Sequence, residues 1–209
     1  MFLMDIIKNK LKYFSTFFYS RQVRLSFPVL TIEKYVNYQW QLPEGYILVS
    51  PSKDVDCQAW AALLNSDSNF GMWTPARVKT EIIDRMIMPD AGSLLYYNGE
   101  LIGCSSTMDG SKHGRRLGVG MWLFLTPNHR GTKRLAHALT YRTLSFFVKA
   151  GYDKIIAYTD STRLPALYLY LSNGAVPNYN SIISFFIWHK ILKRLRPLLK
   201  RSKNHNLLK

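Results

Sequence analysis

Arg130, Lys133 and Arg134 crowd into the stretch PNHRGTKRLAHAL (127–139), directly behind the apolar run GVGMWLFLTP (118–127) and ahead of a long helical pattern. A buried strand that turns straight into a helix leaves unpaired backbone N–H groups and the positive end of the helix dipole at the strand's carboxyl end. That arrangement binds anions, and three basic side chains beside it suit a diphosphate. A basic helix start after a strand is also a common surface feature, so this stretch alone leaves both readings open.

The elements that must position this loop can be read from periodicity. GYILVS (45–50) reads as a strand, DVDCQAWAALLN (54–65) as a helix capped by Asp54, and PARVKTEIIDRMI (75–87) as a helix started by Thr74 and Pro75. Between these helices, NSDSNFGMW offers a segment that could face a substrate. SLLYYNGELIGCSSTM (93–108) reads as a hairpin turning at Asn98-Gly99. The strand 118–127 then leads to a helix over 132–151 closed by Gly151, a strand at 153–160, a helix at 161–174 and a final apolar segment from Ile182. Strands alternating with crossover helices predict an α/β domain whose sheet is partly parallel.

Charge separates this body from its ends. The 209 residues carry a net charge of +15, of which 1–43 hold +4, 44–181 hold +3 and 182–209 hold +8, the last with no acidic residue. The nearly balanced middle argues against a nucleic-acid-binding fold as such and assigns the basicity to the two arms. Both arms read as amphipathic helices. Phe2, Leu3, Ile6, Ile7, Leu11, Phe14, Phe17 and Phe18 recur at helical spacing at one end, and Ile187, Ile191, Leu195, Leu198 and Leu199 at the other. Each either packs on the domain or docks on an anionic membrane surface. At the carboxyl end, the packed alternative is a final strand over about 181–188 followed by a docked helix, with Pro197 interrupting the helix.

No apolar run reaches the roughly 18–20 residues that cross a bilayer, and the amino-terminal stretch lacks a signal peptide's order and cleavage site. The expectation is a cytoplasmic protein, peripheral on the inner face of a membrane if its ends dock there. Cys57 and Cys104 stand in apolar contexts with neither CxxC spacing nor a His cluster, so free thiols are expected and no metal site.

A second stretch, YTDSTRLPALYLYLSNGAVPNY (158–179), carries a pattern. Thr159, Asp160, Arg163, Leu164, Pro165, Ala166, Tyr170, Leu171, Gly174 and Pro177 fit TD..RLPA...YL..G..P, and the upstream W...LN helix at Trp60–Asn65 agrees with it. On these residues the chain resembles the GCN5-related N-acetyltransferase (GNAT) superfamily over about 45–180. The resemblance implies the GNAT fold: a mixed, mostly antiparallel central sheet with a parallel, splayed strand pair, flanked by helices. It divides the chain into a basic helix and connector (1–43), an acyltransferase domain (44–188) and a basic helix and tail (189–209).

The resemblance further implies acetyl-CoA or another acyl-CoA as cofactor and an amine-bearing acceptor. Pantetheine would run along the strand end at Leu123, Phe124 and Leu125. The diphosphate would lie on main-chain N–H groups of an R-x-x-G-x-G/A motif, whose start Arg130, Gly131 and Thr132 match. Lys133 stands where a glycine is expected, followed by Arg134. Leu135 stands where Gly or Ala is expected, unless one residue is inserted and Ala136 takes that place. Tyr170 falls where the family has a tyrosine that protonates the departing thiolate; the plainer alternative is that it packs with Leu167 and Leu171.

The strand 118–125 holds no carboxylate, so no general base is assigned. Asp109 and His113 are candidates that also suit a solvated loop, while Asp160 and Arg163 suit a structural pair. Three functions follow for comparison: an N-acyltransferase, a catalytically idle domain of the same fold, and a nucleic-acid binder through the arms, which the balanced middle disfavours.

Overall fold

A computed structural model describes residues 22–28, 33, 40–51, 56–67, 70–111, 116–131 and 134–204, the last four by backbone alone. The expected amino-terminal helix lies outside the described residues. The chain divides into two compact units, 26–157 and a smaller one formed by 1–25 with 158–209.

The larger unit is built around strands β2 (Tyr46–Val49), β3 (Gly92–Tyr97), β4 (Glu100–Asp109), β5 (Leu117–Leu125) and the start of β6 (Lys154–Asp160), in the order β2-β3-β4-β5-β6. The first three pairings are antiparallel, whereas β5 and β6 run parallel. Asn98 and Gly99 turn the β3–β4 hairpin at φ 47° and 84°, both left-handed, as a two-residue I′ turn requires.

Period-2 alternation sends side chains to two cores. Leu94, Cys104 and Phe124 meet Trp60, Leu63 and Leu64 of helix α1 (Cys57–Asn65) and Val78 of α2 (Pro75–Glu81). Leu95, Ile102 and Leu125 meet Leu135 and Leu139 of α3 (Leu135–Lys149). A register shift between Leu95 and Tyr96 places Ile102 on the second face, although its parity with Cys104 would assign it to the first.

The helices are shorter than their sequence patterns. Asp56, not Asp54, caps α1, its carboxylate accepting the N–H groups of Gln58 and Ala59 at 2.8 and 3.0 Å; Asp54 lies outside the described residues. Thr74 caps α2 as expected, with Pro75 in its first turn, but the helix ends at Glu81 and continues only as a 3-10 turn over Ile83–Arg85.

The smaller unit holds the end of β6, then β1 (Gln22–Phe27, to Leu25 in this unit) and β7 (Val176–Pro177) in the order β6-β1-β7, with helices α4 (Leu164–Ser172) and α5 (Ile182–Asn204). Strand β1 lies in what the sequence suggested was a connector. Its signal is plain in hindsight, because Val23, Leu25 and Phe27 are buried while Gln22, Arg24 and Ser26 alternate with them.

The strand expected at about 181–188 is instead the start of α5, which runs through Pro197 without interruption. Proline removes one helical N–H there, but Lys193, whose carbonyl would have accepted it, is exposed to water. Ile187, Trp188, Ile191 and Leu195 are buried, so this part of the apolar stripe offered above as a membrane face is committed to packing, whereas Leu198 is 47% exposed. Among the described residues no helix is long and apolar enough to cross a membrane.

Candidate active site

The pairing of β5 with β6 covers Leu117–Gly120 and stops, yet β5 continues for Met121–Leu125. On its other side, β5 stays paired with β4, but Cys104 faces Phe124 while Ser106 faces Met121, so β5 carries an extra residue. Trp122 occupies this bulge at φ 50°, a left-handed conformation uncommon for a bulky side chain. The Cys104 thiol donates to the Trp122 carbonyl at 3.3 Å, tying the bulge to the neighbouring strand.

Aromatic rings wall this strand end. Trp122 meets Trp73 edge-on at 4.6 Å between centroids, and Phe124 meets Phe70 at 4.8 Å. Trp73 is fixed by a reciprocal pair with Asn65, which accepts its N–H at 2.8 Å and donates to its carbonyl at 2.9 Å. The segment expected to face a substrate therefore packs on the bulge, and Met72 at its tip is 85% exposed. The indole N–H of Trp122 is buried with no partner among the described residues.

Beyond Leu125 the chain makes a 3-10 turn at Pro127–His129. His129 Nδ1 shares a hydrogen bond of 3.0 Å with the Tyr46 hydroxyl, which pins the turn to β2. Arg130 folds back on the strand it follows: its Nε donates to the Leu125 carbonyl at 2.7 Å and its Nη2 to Asp67 at 2.8 Å.

Gly131 sits at φ 74°, and beyond its chain neighbours no atom of the described residues comes within 4 Å of the place a Cβ would occupy. Arg134 takes the left-handed region at φ 53° and precedes α3 without a side-chain cap. By helix geometry the first N–H groups of α3, on Leu135 and Ala136, then point out of the helix end. Among the described residues, the open space at Gly131, a helix start with no side-chain cap from Arg134 and a strand edge without a partner fit a diphosphate and an extended amide chain. Leu123, Phe124, Leu125, Arg130, Gly131, Arg134, Leu135 and Ala136 come together in this one unit; Thr132 and Lys133 lie outside the described residues.

Tyr170 sits on α4 of the smaller unit. Its ring is half-buried, and desolvation pushes its phenol up to about 12, with the Arg163 guanidinium pulling the other way. Asp160 and Arg163 form an ion pair at 3.4 Å, the structural role expected of them.

Asp109 accepts the Ser111 N–H at 2.9 Å, and hydrogen bonds from Ser111 hold its carboxyl below the usual range. It pairs with Gly118, four residues before the bulge, or about 13 Å along the strand. That makes it a turn residue, remote from the strand end; His113 lies outside the described residues. Sequence reasoning missed the ion pair of Asp67, the single acid in the 65–74 segment, and the Tyr46–His129 contact.

No protein-family model and no curated protein matches the sequence. Solved structures do. A GCN5-related N-acetyltransferase from Sphaerobacter thermophilus superposes with a TM-score of 0.57 at 15% identity, over 76% of this chain and 50% of its own. A tandem GNAT protein from the clavulanic acid biosynthesis pathway gives 0.55 at 13% identity, over 75% and 50%. A GNAT-family protein from Novosphingobium aromaticivorans, described as a putative acetyltransferase, gives 0.51 at 16%, over 76% and 61%. The chain spans about half the length of the first two, and at these identities the likeness is one of fold: mixed α/β with the parallel strand pair β5–β6.

Proposed function

We propose that this chain, which has the fold of the GCN5-related N-acetyltransferases, is an acyl-CoA-dependent N-acyltransferase, most simply an N-acetyltransferase acting on an amine. The observation that carries the reading is the run from the bulge at Trp122 to the uncapped start of α3. There a strand edge, an open glycine turn and a positive helix end follow one another in the order that an acylated, diphosphate-bearing thiol ester needs.

Bound acyl-CoA would supply the activated thioester carbonyl. The main chain of Leu123, Phe124 and Leu125 would hold its amide arm as a strand neighbour. The N–H groups from Gly131 to Ala136 would hold its diphosphate, with Arg134 and Lys133 adding charge and Arg130 bracing the turn. The aromatic wall of Phe70, Trp73 and Trp122 would exclude water from the acceptor amine, which must reach the carbonyl neutral. Tyr170 would donate its phenolic proton toward the departing sulfur. The catalytic body is assigned to 44–188 together with β1.

A catalytically idle member of the fold is the second reading, supported by the absence of a carboxylate from β5 and by the engagement of Arg130 with Asp67. Release of free CoA from acetyl-CoA across a panel of primary amines separates the two. Turnover with at least one amine supports the enzyme; tight acetyl-CoA binding with none turned over supports the idle domain. Docking at an anionic membrane through the basic ends belongs to the same proposal, with exposed Lys193, Arg194, Arg196 and Lys200 on α5 as its support.

A further inference from the structure

We propose that the smaller unit carries a second binding site, for an anionic amphiphile with a phosphate-type headgroup, in a cavity between β1, the end of β6, the segment after β7 and the start of α5. The cavity measures about 270 Å³, and Arg24, Tyr158, Asn178, Asn180, Ile183 and Trp188 are among the residues that line it.

Two of these are buried donors in want of an acceptor. Trp188 is fully buried, and its indole N–H has no partner among the described residues; the Nε of Arg24 is likewise buried without one. An indole N–H and a guanidinium can only donate. Among the described residues no acidic side chain lines the cavity. Buried donors are left unpaired in folded proteins chiefly where something else completes them, and two donors on residues that line one cavity, one of them cationic, suit an oxyanion.

The helix start adds a third feature on the same side. Ser181 caps α5, accepting the Ser184 N–H at 3.1 Å, and the Ser184 hydroxyl accepts the N–H groups of Asn180 and Ser181 at 3.0 Å each. This fixes the loop and turns the positive end of a long helix toward the lining residues.

The body attached to that oxyanion would be apolar. Ile183, Ile187 and Tyr158 line the cavity, and beside it the first turns of α5 hold Ile182, Phe185 and Phe186 with 79, 53 and 55% of their surface exposed. Exposed apolar side chains grouped next to a cationic cavity match a molecule with a charged head and a greasy tail. A phospholipid in a bilayer and a free alkyl phosphate both present that chemistry.

The test uses the full chain, hexyl phosphate, inorganic phosphate, and vesicles of phosphatidic acid or of phosphatidylcholine. Hexyl phosphate should bind saturably, about tenfold more tightly than inorganic phosphate. It should also move the indole N–H resonance of Trp188, assigned by its disappearance in Trp188→Phe. Arg24→Met should weaken binding at least tenfold; if that variant melts early, Arg24→Lys, which keeps charge but loses the fork, should still weaken it several-fold. Preferential binding to phosphatidic acid vesicles, lost with Arg24, would identify a lipid headgroup as the ligand. Hexyl phosphate binding without vesicle binding would identify a soluble one. No binding of any probe at millimolar concentration, an unmoved Trp188 resonance at saturation, or undiminished binding by the Arg24 variants would overturn the site.

Discussion

Arg130 reaches back across 63 residues of sequence to Asp67, Nη2 to carboxylate at 2.8 Å, while its Nε holds the carbonyl that ends β5. One guanidinium thus joins the strand end to the 65–74 segment and leaves part of its charge compensated. With the Arg130 side chain 45% exposed, the pair contributes about 1 kcal/mol or less.

Asp67→Asn should therefore shift urea-denaturation stability by under about 1 kcal/mol, yet tighten acetyl-CoA binding two- to fivefold by releasing the guanidinium. Arg130→Ala should weaken it at least fivefold. Calorimetric titration of both variants decides this, and weaker binding by both would contradict the gain expected from the freed guanidinium.

Tyr170→Phe should lower turnover about 10²-fold and leave acetyl-CoA affinity within twofold. Since the folded phenol is raised from the ordinary 10 to about 12, the unfolded state releases its proton first. The stability tied to this phenol is complete below pH 10 and is lost as pH rises from about 10 through about 12. The variant should accordingly resist alkaline unfolding better than the intact protein. Unaltered turnover in the variant would return Tyr170 to a packing role.

Gly118 and Gly120 predict opposite outcomes two residues apart. A Cβ on Gly118 would stand 2.4 Å from the Phe147 ring, whereas one on Gly120 meets nothing nearer than 3.8 Å. Gly118→Ala should cost about 1–3 kcal/mol from overpacking and Gly120→Ala much less, measured by chemical denaturation.

The Cys104 thiol is fully buried, which pushes its pKa up to about 12. Native-state alkylation read by mass spectrometry should leave it unmodified while the half-exposed Cys57 reacts. Equal labelling of the two would show that the β4–β5 bulge opens.

Much of the fold was legible because local chemistry and tertiary structure agree. Asn98-Gly99 specifies one turn, and the parallel strand pair follows from the helix that must cross over between β5 and β6. Other features needed information that no local window holds. The apolar run IISFFIW fits a strand or a buried helix equally well, and only the i, i+4 recurrence of Ile187, Ile191 and Leu195 favours the helix observed. Strand β1 does carry a local signal, the alternation of Val23, Leu25 and Phe27 with Gln22, Arg24 and Ser26, but its place in the sheet depends on residues far away in sequence. In the candidate site, the loop and its glycine were readable as an anion site, whereas Arg130's partner was not, since nothing in DSNF marks Asp67 as the acid that turns inward.

The central claim is that the start of α3 binds the diphosphate of acyl-CoA, and Ala136→Asp tests it most directly. A carboxylate in a helix's first turn stabilises the helix by about 0.3–1 kcal/mol, so the variant should melt no lower than the intact protein. The same charge should repel a diphosphate. Calorimetric titration with acetyl-CoA should therefore give micromolar binding for the intact chain and at least tenfold weaker binding for the variant. Equal affinity in both, or no binding by the intact chain at millimolar ligand, would contradict the account.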